Sequence, residues 1–204
     1  MDADFSIELG PEAPALELPW RDPDGRLAYV DLRSDPGQIE RIPEAQRSPA
    51  LGKFLVEVNL PQSPWQTAKC DVWAEAVERA ENLYDAAFAQ SCYVDLVLAV
   101  QYKALRDGLE LHERLARQIG QLMEANEALE ATAEIVVRRC YFHCEIAAEE
   151  SGDGDCNASA DTSDAGYCLT LYLSGYGDCA EAAARSWEQA LELASGCLLR
   201  LYPQ

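Results

Sequence analysis

Positive charge is what this chain has least of. Its 204 residues include 36 Asp and Glu against 16 Lys and Arg, a net charge of −20, and the lysines are only Lys53, Lys69 and Lys103. Such a surface repels a phosphate backbone, which excludes nucleic acid bound by direct phosphate contact. Also missing are the basic start and apolar core of an export signal, and no apolar run approaches the roughly 20 residues a membrane helix needs. These absences predict a cytoplasmic protein with no membrane partner. In that setting the eight cysteines read as reduced, mostly buried thiols rather than as a disulfide framework.

Complete catalytic motifs are absent as well. There is no P-loop, no nucleophile elbow and no dinucleotide fingerprint, since Gly152-Asp153-Gly154 lacks the third glycine and the following helix. The sequence therefore implies no cofactor. The chain has two histidines. His112 stands between Glu110 and Glu113 on a helical segment, which suits a solvated or boundary position. His143 belongs with Cys140 and Cys144 to the one Cys/His cluster, and four residues of strand span roughly 13 Å, too far for thiolates sharing one zinc.

With 49% apolar residues the chain can bury a substantial core and is read as one α+β domain over 1–204. A hairpin and helices occupy 1–90, and a β-α-β-β-α unit occupies 91–204. Short strands are expected over 5–9, 15–20 and 26–32, the last two joined by the turn residues Asp22-Pro23-Asp24-Gly25. A helix is expected over 49–59, after Ser48-Pro49. Trp73, Val77, Ala80, Tyr84 and Ala87 keep a helical period and predict a second helix from about Glu75 towards Gln90. Next come an apolar strand over 92–100, a helix over 107–125 and strands over 134–146 and 166–176, flanking an acidic loop over 149–165. Tyr167, Leu169, Leu171 and Leu173 alternate with Cys168, Thr170, Tyr172 and Ser174, so one face of the last strand is core. A hairpin centred near residue 156 would set Cys144 opposite Cys168. Asp107/Glu110 and Asp178/Glu181 have capping-box spacing ahead of the last two helices. The order predicts an antiparallel sheet with helices mainly on one face, containing a split β-α-β, ferredoxin-like element in the C-terminal half.

Three sets of side chains could carry chemistry. The tetrapeptide Tyr-Val-Asp-Leu occurs at 29–32 and 93–96, each time setting an aspartate in an apolar strand; were the strands neighbours, Asp31 and Asp95 would form a carboxylate pair. Asp153, Asp155, Asn157, Ser159, Asp161 and Asp164 have the spacing of calcium-loop ligands, with Ala158 where the turn requires glycine and Asp at the twelfth position where Glu is usual. Arg138 or Arg139, with His143, Tyr172 and Tyr176, would line an open sheet face suited to an anionic ligand or a partner's acidic group. The charge and the missing catalytic set favour a non-enzymatic binding or accessory protein acting on a basic or oligomeric protein partner, with homodimer formation a form of the same behaviour. The alternative is a small metal-binding protein or a hydrolase-like enzyme using strand or loop carboxylates.

Overall fold

In the computed structural model, residues 1–203 are described apart from 23, 127 and 144–162. Six strands form one mixed sheet: β1 (Asp2–Glu8), β2 (Leu16–Leu18), β3 (Trp65–Ala76), β4 (Phe88–Leu98), β5 (Ala131–His143) and β6 (Ser163–Gly177). Four α-helices accompany them: α1 (Pro43–Arg47), α2 (Pro49–Val58), α3 (Leu109–Glu124) and α4 (Ala180–Leu198). The strand order is β1-β5-β6-β4-β3, and β2 continues the edge by pairing with β5 beyond β1. This is the expected α+β class, and β4 lies inside the sheet between β3 and β6.

The pairing departs from a purely antiparallel sheet at one edge. β3, β4, β6 and β5 are antiparallel neighbours, but β1 and β2 run parallel to β5. β4, α3 and β5 make a crossover with β6 between its two strands, which is the split β-α-β order. Among the described residues no strand follows α4, so a four-strand ferredoxin-like unit is not completed.

One face of the sheet meets the helices. Leu169, Leu171 and Leu173 of β6, Ile135 and Val137 of β5, and Val94, Leu96 and Leu98 of β4 pack with Leu51, Phe54 and Leu55 of α2, Leu115 and Ile119 of α3, and Trp187, Leu191 and Leu198 of α4. The period of two on the strands and the 3.6-residue period on the helices make these one layer. On the other face, a smaller cluster of Leu16, Leu18, Val97, Cys140, Phe142 and Cys168 lies under the N-terminal segment.

Four local expectations are corrected. There is no α-helix over 75–90: β3 runs to Ala76, β4 starts at Phe88, and between them is only a 3-10 turn at Arg79–Glu81. The connection is fixed by Asn82, which donates to the carbonyls of Glu78 and Ala86 and accepts from the amides of Tyr84 and Ala86, while Asp85 takes φ +50°, outside the helical range. Segment 26–32 is not a strand; only an Arg21–Ala28 bridge and the turn at Gly25 remain of the hairpin. Neither capping box forms, because Gly108 and Cys179 are the N-caps of α3 and α4, without side-chain cap bonds, and Asp178 instead pairs with Arg79 at 2.9 Å. His112 is fully buried, its Nδ1 2.8 Å from the Gly108 carbonyl and its ring against Tyr167.

The six described cysteines are free thiols: Cys92, Cys140, Cys168 and Cys197 are buried, Cys70 is half-buried and Cys179 is exposed. Burial pushes the Cys92 thiol up to about 12, as expected for a group that packs rather than reacts. The register pairs Arg138 with Cys168 and Cys140 with Gly166, so Cys168 neighbours Cys140 diagonally. Cys144 lies outside the described residues.

Candidate functional site

The face of the sheet away from the helices is covered unevenly. Near Leu16, Leu18 and Trp20 the N-terminal segment lies over it, with the Trp20 indole donating to the Ala68 carbonyl at 2.7 Å. Beyond that cover, among the described residues, it remains open. Period-two alternation brings Asp2, Asp4, Ser6 and Glu8 of β1, Glu134 and Arg138 of β5, Thr170, Tyr172, Ser174 and Tyr176 of β6, and Tyr93 and Asp95 of β4 to this side.

A polar chain crosses the middle of this face. Arg138 donates through Nε and Nη2 to Glu8 Oε2 at 3.0 and 2.9 Å, and through Nη1 to Tyr172 Oη at 3.0 Å and Thr170 Oγ1 at 3.4 Å. Thr170 Oγ1 in turn donates to Asp95 Oδ1 at 2.6 Å. Tyr172 also packs against Tyr93, with ring centroids 5.9 Å apart. The single hydrogen bond from Thr170 is the only one Asp95 receives from a described side chain, although the residue is just 7% exposed. Burial pushes its carboxyl above the usual carboxylate range, against the opposing pull of Thr170, Arg138 and Lys69.

That direction has a sign in the pH dependence of folding. A folded-state pKa above the unfolded one means that the folded state holds the proton more tightly, so Asp95 favours folding at low pH and this contribution is lost as pH rises from about 4 through the raised value. Asp95→Asn keeps an acceptor for Thr170 but carries no charge. Its melting temperature relative to the wild type should rise between pH 4 and pH 7, as scanning calorimetry would record. A difference that shrinks over that range would contradict the assignment.

The open half of the face holds a second feature. A groove of about 360 Å³ is lined by Asp2, Asp4, Thr132, Ala133, Glu134, Tyr172 and Ser174. Its charged groups are all carboxylates. Asp2, Asp4 and Glu134 are exposed, and the Ser6 hydroxyl holds Glu134 at 3.3 Å.

The other sequence candidates fall elsewhere. Asp31 and Asp95 are not brought into one network. Asp31 sits in a turn, accepting from the amides of Arg33 and Ser34, the Ser34 hydroxyl and the Gln66 amide, the local capping that ends extended structure at an Asp. Arg139 points to the opposite side of β5 from Arg138 and is exposed; parity alone separates them. Tyr176 is on the open face, its hydroxyl 3.4 Å from that of Thr132 and its ring against Tyr84. His143, at the far end of β5, lines a cleft with Tyr29, Asp31, Arg33 and Arg106.

Of the calcium-loop set, Asp153, Asp155, Asn157, Ser159 and Asp161 lie outside the described residues. Asp164 is on β6, paired with Lys103 at 2.8 Å. Among the described residues no three His, Cys, Asp or Glu side chains are placed to hold one metal ion, and no helix is long and apolar enough to cross a membrane. The residues that sequence reasoning missed are Asp2, Asp4, Glu8 and Glu134, whose common face depends on the parallel β1–β5 register. Their only local signal is the polar alternation Asp2, Asp4, Ser6, Glu8. Compared with protein-family models, with curated proteins and with solved structures, the chain matches none.

Proposed function

We propose that the chain is a non-enzymatic binding protein whose open sheet face receives a basic segment of a protein partner. The observation that carries this reading is the groove between β1, β5 and β6, whose charged lining is Asp2, Asp4 and Glu134 with no cation among them. A guanidinium or ammonium group entering it would meet carboxylates along the walls, which favour cations. The net charge of −20 would steer such a partner from a distance and accelerate encounter at low salt.

The test compares capture by the wild type and by the triple variant Asp2→Asn, Asp4→Asn, Glu134→Gln. These side chains are exposed, so each change should alter stability by under about 0.5 kcal/mol. The wild type should retain a polypeptide rich in Lys and Arg that the variant does not. Retention of an acidic polypeptide, of a second copy of this chain, or of the same basic partner by both proteins would contradict the reading.

A further inference from the structure

Next to the acidic groove, and sharing Tyr172 with it, is a smaller cavity of about 330 Å³. Residues 14–16, the rings of Tyr93 and Tyr172, and Cys168 and Thr170 line it, and Lys69, Asp95 and Arg138 supply its charges. The size is at the low end for ligand pockets, and the mixture of apolar walls with a few convergent polar groups is what such pockets share.

The charges balance in number, but not all of them are paired in contact. Arg138 is matched by Glu8 at 2.9 Å. That leaves Asp95 and Lys69. Asp95 is buried and takes one neutral hydrogen bond, from Thr170, with no cation at salt-bridge distance among the described residues. Lys69 is exposed and has the Trp20 ring at 5.8 Å as its neighbour, again with no carboxylate at salt-bridge distance. Both charges line the one cavity, and among the described residues neither has an opposite charge at salt-bridge distance, although Asp95 feels the longer-range attraction of Arg138 and Lys69. An unpaired carboxylate inside a protein costs stability, and an apolar residue on β4 would avoid that cost. A ligand that brings a cation to Asp95 and an anion to Lys69 satisfies both ends at once.

We propose that this cavity binds a small zwitterion of the amino-acid class, its ammonium group on Asp95 beside the Tyr93 and Tyr172 rings and its carboxylate towards Lys69. The ammonium would donate to the carboxylate Thr170 already orients, and the Tyr93 ring would stabilise its charge, the Tyr172 ring already carrying the Arg138 guanidinium at 5.4 Å. Lys69, braced on Trp20, which is itself fixed by its bond to Ala68, holds the other end. The site shares Tyr172 with the acidic groove but none of that groove's carboxylates, since Asp2, Asp4 and Glu134 do not line it.

The experiment is a two-dimensional amide NMR titration of the full chain with each proteinogenic L-amino acid at millimolar concentration, with ethylammonium and propionate as half-ligand probes. At least one amino acid should shift the resonances of Tyr93, Asp95, Thr170 and Tyr172 in a saturable way, and each half-ligand should bind at least about tenfold more weakly. Asp95→Asn should abolish the shifts. Lys69→Met, a change at an exposed position that leaves the core intact, should weaken binding about tenfold, in line with loss of one charge contact. The proposal is overturned if no amino acid moves these resonances in the wild type, if both variants bind as the wild type does, or if propionate or ethylammonium alone binds as tightly as the amino acid.

Discussion

Replacing Gly175 with alanine should cost the protein about 3 kcal/mol or more of folding stability. Gly175 lies in β6, paired with Gln90 on one side and Ala131 on the other, where α4 crosses the sheet. A Cβ built there would stand 2.1 Å from the Trp187 amide nitrogen and 2.5 Å from its Cα. These are backbone atoms of a helix packed on the core, so relief requires α4 itself to lift, with Trp187, Leu191 and Leu198. Gly10→Ala is the control, since a Cβ there meets nothing within 4 Å. Urea unfolding of the two variants should show a much lower midpoint for Gly175→Ala with little change of slope, and a near-wild-type midpoint for Gly10→Ala. Equal midpoints would mean that α4 does not approach β6 so closely.

The second large effect belongs to Trp65. It is fully buried at the start of β3, and its indole donates to the Leu198 carbonyl at 3.1 Å, tying the end of α4 to the sheet. Trp65→Ala removes the ring and leaves a cavity, for which about 3–5 kcal/mol is the usual cost, a large share of the roughly 5–15 kcal/mol that holds a domain together. Trp65→Phe retains most of the packing and loses only the hydrogen bond, so it should cost distinctly less. Chemical unfolding of both would separate the two contributions, and near-equal losses would assign the effect to the hydrogen bond rather than to packing.

What the sequence made legible was what repeats locally. The alternation of β6, the stripes of α2, α3 and α4 and the apolar run of β4 each carry a period readable within ten or so residues, and each element formed. Pairing between distant segments has no local period. Trp73, Val77, Ala80, Tyr84 and Ala87 satisfy a helical template, yet Trp73 is held in β3, whose ten registered pairs with β4 reach up to 33 residues away, and the other four fall in the connection between the two strands. Asp31 and Asp95 share a tetrapeptide but not a conformation, because the Arg33-Ser34 amides after the first offer its carboxylate a turn, whereas the second is enclosed between β3 and β6. The same limit hid the acidic groove. Asp2 and Asp4 meet Glu134 only through a parallel register across some 130 residues, while the parity of β5 and β6 sets Arg138 and Tyr172 on one side of the sheet.

The claim that this face is the binding surface is tested most directly by carboxyl footprinting. The free protein and its complex with the captured partner are treated with a carbodiimide and an amine, and labelling is read residue by residue by mass spectrometry. Asp2, Asp4 and Glu134 should label readily in the free protein and become protected in the complex, while the exposed Glu124 of α3 and Glu188 of α4, on the helix side, keep their labelling. Protection of Glu124 and Glu188 with unchanged labelling of Asp2, Asp4 and Glu134 would place the partner on the helical layer and contradict the account.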